Sequence, residues 1–460
     1  MLNYFNFRSF GEDCLLTNDF GSYVYLPEDE MIRLVRKGTT DNEAHDEILR
    51  ERGFIFDESE LSFSSAWAGA LRCGKSYLLS GTSLHIIVVT TACNLECLYC
   101  QARQSECCGR YMDRDTALRA VDIALSAPSS HISIEFQGGE PLLNFEIIRD
   151  AVEHAIDNAK GKTIEFTVVS NLTLITDEML EFFATHDVTL STSLDGAPSL
   201  HNHNRPYSDG TGSYETLLLA IERVRKAGIP LGAIQTTTSA SLVQARQIVD
   251  TYCSLGFDNV FIRPLTPLGR ASEAWEHVGY QPEEFSAFYR EVLRYIVDLN
   301  KRGIHIKEGH ASIVLPKILF GNPTNYMELR SPCGAGIGQM AYHVDGNVFT
   351  CDEGRMLYEM GDSSFKLGNV WENSYKDMVR CSVCRVASVS SAVESVPGCC
   401  DCVYQPYCGL CPVVNVARQA DLLPKMAHDY RCRIYMGIFD AIFDIIHNDE
   451  IGLRLMREWC

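Results

Sequence analysis

The sequence LHIIVVTTACNLECLYC at positions 84–100 joins an apolar run directly to a loop that carries Cys93, Cys97 and Cys100. The apolar run is typical of a buried β-strand. Three thiolates on one tight loop suit three irons of a [4Fe–4S] cluster, which leaves the fourth iron open to a small molecule. A zinc loop is the alternative interpretation, although a structural zinc ion normally takes four protein ligands and only three lie in this segment.

From this strand onward, the segment 84–310 alternates strand-like and helix-like patterns. Six such strands separated by helices predict a parallel sheet covered by helices, either open or barrel-like. In folds of this kind the chemistry collects at the carboxyl ends of the strands, and the polar or glycine-rich endings of these strands lie there. The strand-like runs are 84–92, 131–139, 163–171, 187–196, 230–239 and 259–267.

The second predicted strand ends in Gly138-Gly139-Glu140-Pro141. Glycine lets the backbone approach a ligand closely, and a carboxylate such as Glu140 can hold an ammonium group. An ordinary strand–helix turn is the alternative interpretation of this segment. Its position, one strand–helix–strand unit after the cysteine loop, favours a shared binding site.

The CxxxCxxC spacing and the GGEP segment resemble the radical S-adenosylmethionine (radical SAM) superfamily. The resemblance implies that the open iron binds the methionine part of SAM and that one electron from the cluster yields a 5′-deoxyadenosyl radical. It also implies that Glu140 contacts the amino group of SAM, that Arg205 lies near its carboxylate and that Tyr99 lies beside its adenine. The SAM contacts implied by the resemblance are Tyr99, Gly138, Gly139, Glu140, Asn171, Ser193, Arg205 and Leu265.

A second constellation of cysteines lies in the C-terminal region and resembles the SPASM extension of radical SAM peptide-modifying enzymes. Two residues separate Cys408 from Cys411, where that family usually has three. A zinc ribbon is the alternative, because CxxC pairs also bind zinc. Cys381 and Cys384 are candidates for a further cluster ligand, and no role is assigned to Cys107 and Cys108. The matching cysteines are Cys333, Cys351, Cys399, Cys402, Cys408, Cys411 and Cys432.

In SPASM proteins these cysteines hold two auxiliary [4Fe–4S] clusters. The resemblance assigns one complete set of four ligands, the last of which is Cys432, and a second set made of Cys333, Cys351 and Cys411. The second set leaves an iron open or takes a fourth thiolate. Asp352 matches an aspartate that serves as a base in sulfatase-maturing relatives, although an ordinary hairpin aspartate is the alternative. The complete set is Cys399, Cys402, Cys408 and Cys432.

The N-terminal residues 1–82 carry no chemical motif. A hairpin that turns at Asn18–Gly21, followed by helices at 27–38 and 41–54, predicts a winged-helix-like module. The layout resembles the leader-peptide recognition elements of ribosomal-peptide maturases, which add an extended peptide to a sheet edge. A generic interface domain is the alternative. Short segments at the start of the chain and around Cys100 also resemble the His-Xaa-Ser system maturases.

The expected fold class is therefore α/β. It comprises a partial (β/α)6 TIM-like radical SAM barrel, a small N-terminal winged-helix-like module and a C-terminal cysteine-rich SPASM domain. The expected boundaries are 1–82 for the module, 83–324 for the radical SAM core, 325–440 for the SPASM domain and 441–460 for a C-terminal tail.

Composition limits the partners. The chain has 460 residues, 40 Lys and Arg against 60 Asp and Glu, and a formal net charge of -20, so nucleic acid is an unfavourable partner. No apolar stretch approaches the length of a membrane span, and the N-terminus does not resemble a secretory signal. A cytoplasmic location is expected, where 19 cysteines indicate metal binding more than disulfides.

These patterns predict an enzyme that cleaves SAM reductively and modifies a ribosomal precursor peptide or protein. Its expected cofactors are one SAM-binding and two auxiliary [4Fe–4S] clusters together with SAM. Its expected partners are the precursor and an electron donor such as flavodoxin or ferredoxin, without nucleic acid or membrane. An anaerobic sulfatase-maturing enzyme that forms formylglycine is the alternative activity. The alternative that is not an enzyme is an iron–sulfur or zinc scaffold or electron carrier.

Overall fold

A computed structural model describes residues 1–56, 61–102 and 109–460. Cys107 and Cys108 lie outside the described residues. The N-terminal region is a three-stranded antiparallel sheet in the order β1-β2-β3, followed by helices. Its elements are β1 (Asn6–Phe10), β2 (Asp13–Thr17), β3 (Tyr23–Pro27), α1 (Glu28–Lys37), α2 (Glu43–Glu51) and α3 (Leu61–Gly74).

The predicted hairpin and the two predicted helices are confirmed as β2–β3, α1 and α2. Strand β1 and helix α3 were not predicted. The sequence of β1, NFRSF, does not alternate between apolar and polar residues. Its inward-facing residues instead contact other parts of the chain. Arg8 forms an ion pair with Asp440 at 3.1 Å, and the ring of Phe10 packs edge-on against Tyr25.

The central region builds the barrel. Strands β4 to β9 lie side by side in chain order and all run parallel. They are the six predicted strands, and each ends one to four residues earlier than predicted because its polar ending is a loop. The strands of this region are β4 (Leu84–Thr90), β5 (His131–Gly138), β6 (Thr163–Val169), β7 (Val188–Ser193), β8 (Leu231–Thr236), β9 (Asn259–Arg263) and β10 (Lys307–Glu308).

The helices of this region connect successive strands, as parallel neighbours require. The helices are α4 (Arg114–Leu125), α5 (Phe145–Asp157), α6 (Asp177–Thr185), α7 (Pro198–Asn204), α8 (Tyr214–Lys226), α9 (Ala245–Ser254), α10 (Gly269–Glu273), α11 (Trp275–Val278), α12 (Pro282–Lys301) and α13 (Gly309–Phe320).

The two faces of the barrel sheet differ in polarity. In β5, Ile132, Ile134 and Phe136 are fully buried, whereas the alternate residues Ser133 and Glu135 are partly exposed. Successive residues of a strand point to opposite faces, so the apolar set packs under the helices and the polar set lines the inner side. The barrel interior therefore offers polar groups to a bound molecule.

The C-terminal region extends the barrel sheet. Strand β11 pairs parallel to β4, with Gln339 opposite Leu84 and Ala341 opposite Ile86. The predicted hairpin turn at Asp345–Gly346 is confirmed, since β11 and β12 are antiparallel and Gly346 has φ of 79°. The elements are β11 (Gln339–Tyr342), β12 (Asn347–Phe349), α14 (Asp352–Glu359), β13 (Lys366–Asn369), α15 (Tyr375–Arg380), α16 (Ser382–Ser390), α17 (Pro412–Gln419), α18 (Tyr430–Asn448) and α19 (Glu450–Arg457).

Helix α18 runs across the expected boundary at residue 441 without interruption. This helix packs against α12, as its apolar sequence predicts. The end of the chain is packed as well, since Trp459 is buried and its indole N–H donates to Asn300 Oδ1 at 3.4 Å. Across the described ranges, every helix is too short or too polar to cross a membrane.

The contact between α18 and α12 gives the first testable prediction. A Cβ atom added at Gly437 would lie 2.6 Å from Ser286 Cβ. We expect Gly437→Ala to lower the free energy of unfolding by about 1–3 kcal/mol, the usual cost of overpacking. Urea denaturation followed by circular dichroism measures the change.

Gly69 in α3 is the matched control, because a Cβ atom there would meet nothing within 4 Å. Gly69→Ala should be neutral or stabilising by up to about 1 kcal/mol, since alanine favours helix more than glycine. The double variant Ser286→Gly/Gly437→Ala should recover part of the lost stability. Equal stability of the two single variants would contradict the close packing of α18 on α12.

Candidate active site

The three-cysteine loop follows β4 at the carboxyl end of the barrel. The segment after α7 holds this loop through backbone hydrogen bonds. The N–H of Glu96 donates to the carbonyl oxygen of Pro206 at 2.8 Å, and the N–H of Leu98 donates to that of Asn204 at 2.9 Å. The loop is thus fixed against a part of the chain more than a hundred residues away.

The thiols of this loop share one electrostatic environment. Burial raises the pKa of Cys97 to about 12; the charge of Arg205 opposes this rise, and the thiols of Cys100 and Cys93 add to it. At neutral pH the Cys97 thiol is therefore protonated, and a metal must displace its proton to bind. Cys93 Sγ accepts a hydrogen bond from the N–H of Leu95 at 3.4 Å.

The two glycines of the GGEP segment press the end of β5 against the backbone that enters the cysteine loop. A Cβ atom at Gly138 would collide with the carbonyl oxygen of Thr90, and one at Gly139 with that of Ala92. The N–H groups of Gly139 and Glu140 donate to these same oxygens, each at 2.8 Å. The glycines permit this close approach of two backbone segments, and their contact with a ligand stays a prediction.

Glu140 is completely buried and its carboxylate is fixed on both oxygens. Oε1 accepts from Ser170 Oγ at 2.7 Å and from the N–H of Leu142 at 3.0 Å, and Oε2 accepts from the N–H of Asn171 at 2.8 Å. Burial raises the pKa of Glu140 to about 7, and these hydrogen bonds limit the rise. The side chain of Asn171 in turn reaches Cys93 Sγ at 4.0 Å.

Asp195 is the centre of a buried hydrogen-bond network beside the cysteine loop. It accepts from Tyr99 Oη at 2.7 Å, from Asn204 Nδ2 at 3.0 Å and from Arg205 Nε at 3.2 Å. Arg205 then points Nη1 at Cys97 Sγ, 3.9 Å away, and lies over the ring of Tyr99. The carboxylate therefore sets the direction of both Tyr99 and Arg205.

Sequence reasoning did not assign Asp195, although it noted the SLDG ending of the fourth barrel strand. The chemical signal was present, because a carboxylate at a strand end is a common site residue. Ser193, which was assigned, is the last residue of β7 and is partly buried. Leu265 is buried just after β9, and its N–H donates to Tyr280 Oη at 2.8 Å.

The first C-terminal set of cysteines comes together in a small apolar cluster. Cys333 and Cys351 are buried there, and Cys411 packs against them beside Leu268. Burial raises the pKa of all three thiols, to about 12 for Cys411. Glu353 raises each of these pKa values further, so a carboxylate faces the set from α14.

The second C-terminal set surrounds a cavity. Burial raises the pKa of Cys399 to about 12 and that of Cys408 to about 11. Other cysteine thiols of the set add to both shifts, so the sulfur atoms lie close to one another. The cysteines of the set are Cys399, Cys402, Cys408 and Cys432.

The two-residue interval between Cys408 and Cys411 connects the two sets. Gly409 lies so close to Arg330 that a Cβ atom would stand 2.5 Å from its carbonyl oxygen. Glycine therefore lets the chain pass tightly between the two sites. Cys408 and Cys411 both line the cavity of the second set, and Cys411 also packs against the cluster that holds the first.

Cys381 and Cys384 interact with each other. Cys381 Sγ accepts from the N–H of Cys384 at 3.4 Å, and burial together with Cys381 raises the pKa of Cys384 to about 11. Cys384 also lies close to Gly336, three residues after Cys333. The pair therefore lies near the segment that follows Cys333, but it is outside the apolar cluster of the first set.

Asp352 is buried and ion-paired. Its Oδ1 accepts from Arg355 Nε at 3.0 Å, and Arg355 Nη1 donates to the carbonyl oxygen of Ala102 at 3.3 Å. Asp352 contributes to a raised pKa of Glu135, which stems mainly from burial. The carboxylate therefore stands close to the polar inner side of β5.

The sulfur-rich donor sets fit iron–sulfur clusters. Backbone N–H groups donate to cysteine sulfur in each set, from Leu95 to Cys93, from Gly354 to Cys351 and from Tyr404 to Cys402, each at 3.4 Å. Hydrogen bonds of this kind tune cluster potentials. Among the described residues, no three Cys, His, Asp or Glu side chains converge closely enough for one metal ion. A cubic cluster instead takes its thiolates at separate corners.

A family model described as the radical SAM superfamily matches residues 87–243. An uncharacterized protein of Methanocaldococcus jannaschii is 30% identical over 230 residues, which are 49% of this chain and 77% of that protein. A cysteine-type anaerobic sulfatase-maturating enzyme of Clostridium perfringens is 24% identical over 306 residues, 64% of this chain and 79% of that enzyme.

Solved structures share the fold. Native anSMEcpe with bound AdoMet and Kp18Cys peptide matches with a TM-score of 0.70 at 20% identity, over 82% of this chain and 99% of that chain. Streptococcus suis SuiB bound to precursor peptide SuiA matches with a TM-score of 0.56 at 16% identity, over 93% of this chain and 98% of that chain. Both likenesses support the partial barrel architecture.

The three cysteine groups predict the iron content. After anaerobic reconstitution we expect about twelve irons per chain, four for each cluster. The triple variant Cys93→Ala/Cys97→Ala/Cys100→Ala should lose about a third of them, because we expect each group to hold its own cluster. Iron analysis and visible absorption spectra measure this.

Cys14, Cys253 and Cys460 lie outside all three groups and provide the control. Their simultaneous replacement by alanine should leave the iron content unchanged. Zinc in place of iron in the C-terminal sets would show that those cysteines form a zinc ribbon.

Proposed function

The chain belongs to the radical SAM superfamily and is an enzyme that uses a [4Fe–4S] cluster and SAM, and on that premise we propose that it matures a ribosomally made peptide or protein. Membership sets aside the scaffold or electron-carrier interpretation. One observation carries the proposal: at the carboxyl end of the barrel, Arg205 meets the three-cysteine loop directly, and Glu140 meets it through Asn171. When bound, the cluster and SAM supply a 5′-deoxyadenosyl radical that abstracts hydrogen from a substrate.

We assign Cys93, Cys97 and Cys100 as the ligands of the SAM-binding cluster. Arg205, held by Asp195, offers its guanidinium to the carboxylate of SAM close to Cys97. Glu140 offers its carboxylate to the ammonium group, which favours the ionised form of Glu140 on binding. Support for both roles comes from their burial, which strengthens charge-assisted hydrogen bonds.

The remaining implied contacts are part of the same proposal. Ser193 at the end of β7, Asn171 beside Cys93 and buried Leu265 after β9 complete the SAM site together with Tyr99. The C-terminal cysteines hold two auxiliary clusters, one on the second set and one on the first set. Support for two sites comes from their surroundings: Cys333 and Cys351 lie in the apolar cluster, whereas the four cysteines of the second set line the cavity.

The proposed SAM contacts are tested by binding. We expect Glu140→Gln and Arg205→Lys each to weaken SAM affinity roughly tenfold to hundredfold, since a buried charged hydrogen bond contributes about 1.5–3 kcal/mol. Because the pKa of Glu140 is about 7, the affinity of the unmodified enzyme should fall as the pH drops below neutrality and protonation removes the charge. Isothermal titration calorimetry of the reconstituted protein measures both effects.

Glu165→Gln is the control, since that carboxylate lies on the neighbouring strand β6 and is largely exposed. It should leave the affinity and the cluster spectrum unchanged. The pH dependence should disappear in Glu140→Gln. An unchanged affinity in both site variants would place SAM elsewhere.

We further propose that the N-terminal sheet recognises the precursor. Strands β1 and β3 are its two edges, and an edge strand offers unpaired backbone groups to an extended peptide. At the β3 edge the carbonyl oxygen of Tyr23 is engaged by Arg52, whereas β1 exposes Phe7 over 52% of its surface. These contrasts favour the β1 edge.

The precursor site is tested with an exposed residue, so that folding is preserved. Phe7→Asp should weaken binding of a fluorescently labelled precursor by about tenfold, because an apolar contact of about 1.5 kcal/mol is lost. Leu219→Asp on α8, where the leucine is 63% exposed, is the matched control and should bind normally. Fluorescence anisotropy measures both, and equal affinities would argue against the β1 edge.

Formylglycine formation on a sulfatase is the second candidate activity, favoured by similarity to sulfatase-maturating enzymes. In either activity Asp352 is the proposed base, although its carboxylate is engaged by Arg355 and accepts a proton only when that pair opens. Mass spectrometry of a sulfatase peptide and of a co-expressed precursor separates the two activities. We propose a cytoplasmic location, because a chain with 19 cysteines in metal-binding spacings suits a reducing compartment. We propose no nucleic acid or membrane partner.

A further inference from the structure

A basic groove lies on the surface of the C-terminal region. Its positively charged side chains are Arg418 at the end of α17, Lys425 in the following loop and Arg431 at the start of α18, with His428 between the last two. The whole chain carries a formal charge of -20, so the groove has the opposite sign to the protein around it. A local reversal of charge is the electrostatic signature of a partner site.

The only acidic residue that lines the groove within the described ranges, Asp429, is turned toward its own chain. Its carboxylate accepts from Gln419 Nε2 at 2.8 Å and from the N–H of Cys432 at 2.6 Å. Arg418 lies over the rings of Trp275 and Tyr430, at 5.4 and 5.5 Å from their centroids. Arg431 instead donates Nη1 inward to the carbonyl oxygen of Gly409 at 2.7 Å. The exposed side chains of Arg418 and Lys425 therefore display the basic charge, while the acidic charge caps α18.

The groove shares a wall with the cavity of the second cysteine set. Asp429 and Arg431 line both spaces. Met426, which precedes them, reaches Cys399 Sγ with its sulfur atom at 3.7 Å. A single layer of side chains thus separates a docked partner from the cysteines that surround the cavity.

We propose that this groove docks an acidic one-electron carrier of the flavodoxin or ferredoxin class, which reduces the cluster held by the second set. The proposal rests on the function proposed above. The carrier loses one electron and the cluster gains one, and no bond forms or breaks. Opposite charge and the thin wall favour a carrier over an acidic precursor segment, which would need no nearby cluster. Transient redox partners typically dock through small, charged interfaces.

The experiment uses the reconstituted chain with Cys93, Cys97 and Cys100 replaced by alanine, so that only the C-terminal clusters report. Arg418→Glu/Lys425→Glu is compared with Lys226→Glu/Arg290→Glu, which makes the same charge change at exposed positions on α8 and α12. Stopped-flow absorbance follows reduction by photoreduced bacterial flavodoxin or by dithionite. We expect the groove variant to be reduced by flavodoxin at least about tenfold more slowly at low salt, since steering depends on charge.

The same variant should retain its rate with dithionite, and the control variant should retain both rates. Equal flavodoxin rates in the groove and control variants would overturn the proposal, as would a groove variant that is slowed equally with dithionite. Loss of labelled-precursor binding with an unchanged flavodoxin rate would assign the groove to the peptide. Iron analysis before the kinetic measurement distinguishes failure of the cluster assignment from failure of the docking site. Missing iron contradicts both, whereas normal iron content with equal flavodoxin rates contradicts the docking site alone.

Discussion

The buried ion pair between Asp195 and Arg205 is the interaction on which the candidate site depends. Removing two charges from water costs free energy that is recovered only through good geometry and additional hydrogen bonds. Tyr99 and Asn204 supply those bonds. Arg205 directs its Nη1 atom toward Cys97 Sγ. A single carboxylate at the end of β7 thereby aligns a tyrosine and a guanidinium beside the cysteine loop.

Continuity of the sheet determines where the other cysteines lie. Strand β11 pairs directly with β4, so the strand that leads to the three-cysteine loop and the region that carries Cys333 and Cys351 belong to one hydrogen-bonded layer. Asp352, at the start of α14, consequently stands near Glu135 on the inner side of the barrel.

The N-terminal sheet is attached to the second cysteine set. Thr17 Oγ1 donates to the carbonyl oxygen of Val403 at 2.6 Å, and Asn6 Nδ2 donates to those of Cys400 and Cys402 at 3.0 and 3.1 Å. Deleting the sheet would remove partners from the backbone that presents these cysteines. Surface substitutions are therefore the sharper way to separate peptide recognition from cluster binding, because they leave this attachment intact.

The sequence by itself determined the six parallel strands, the three-cysteine loop, GGEP and the C-terminal cysteine sets, because strand periodicity and ligand spacing are local properties. It did not determine that Arg8 of β1 pairs with Asp440, that α18 runs past residue 441, or that Gly138 and Gly139 approach the backbone of Thr90 and Ala92. It noted SLDG without assigning a role to Asp195. It also did not show that Arg355 forms an ion pair with Asp352. Each of these depends on residues far apart in the chain, whose proximity is decided by packing and by the need to pair buried charges, and only the tertiary structure supplies that information.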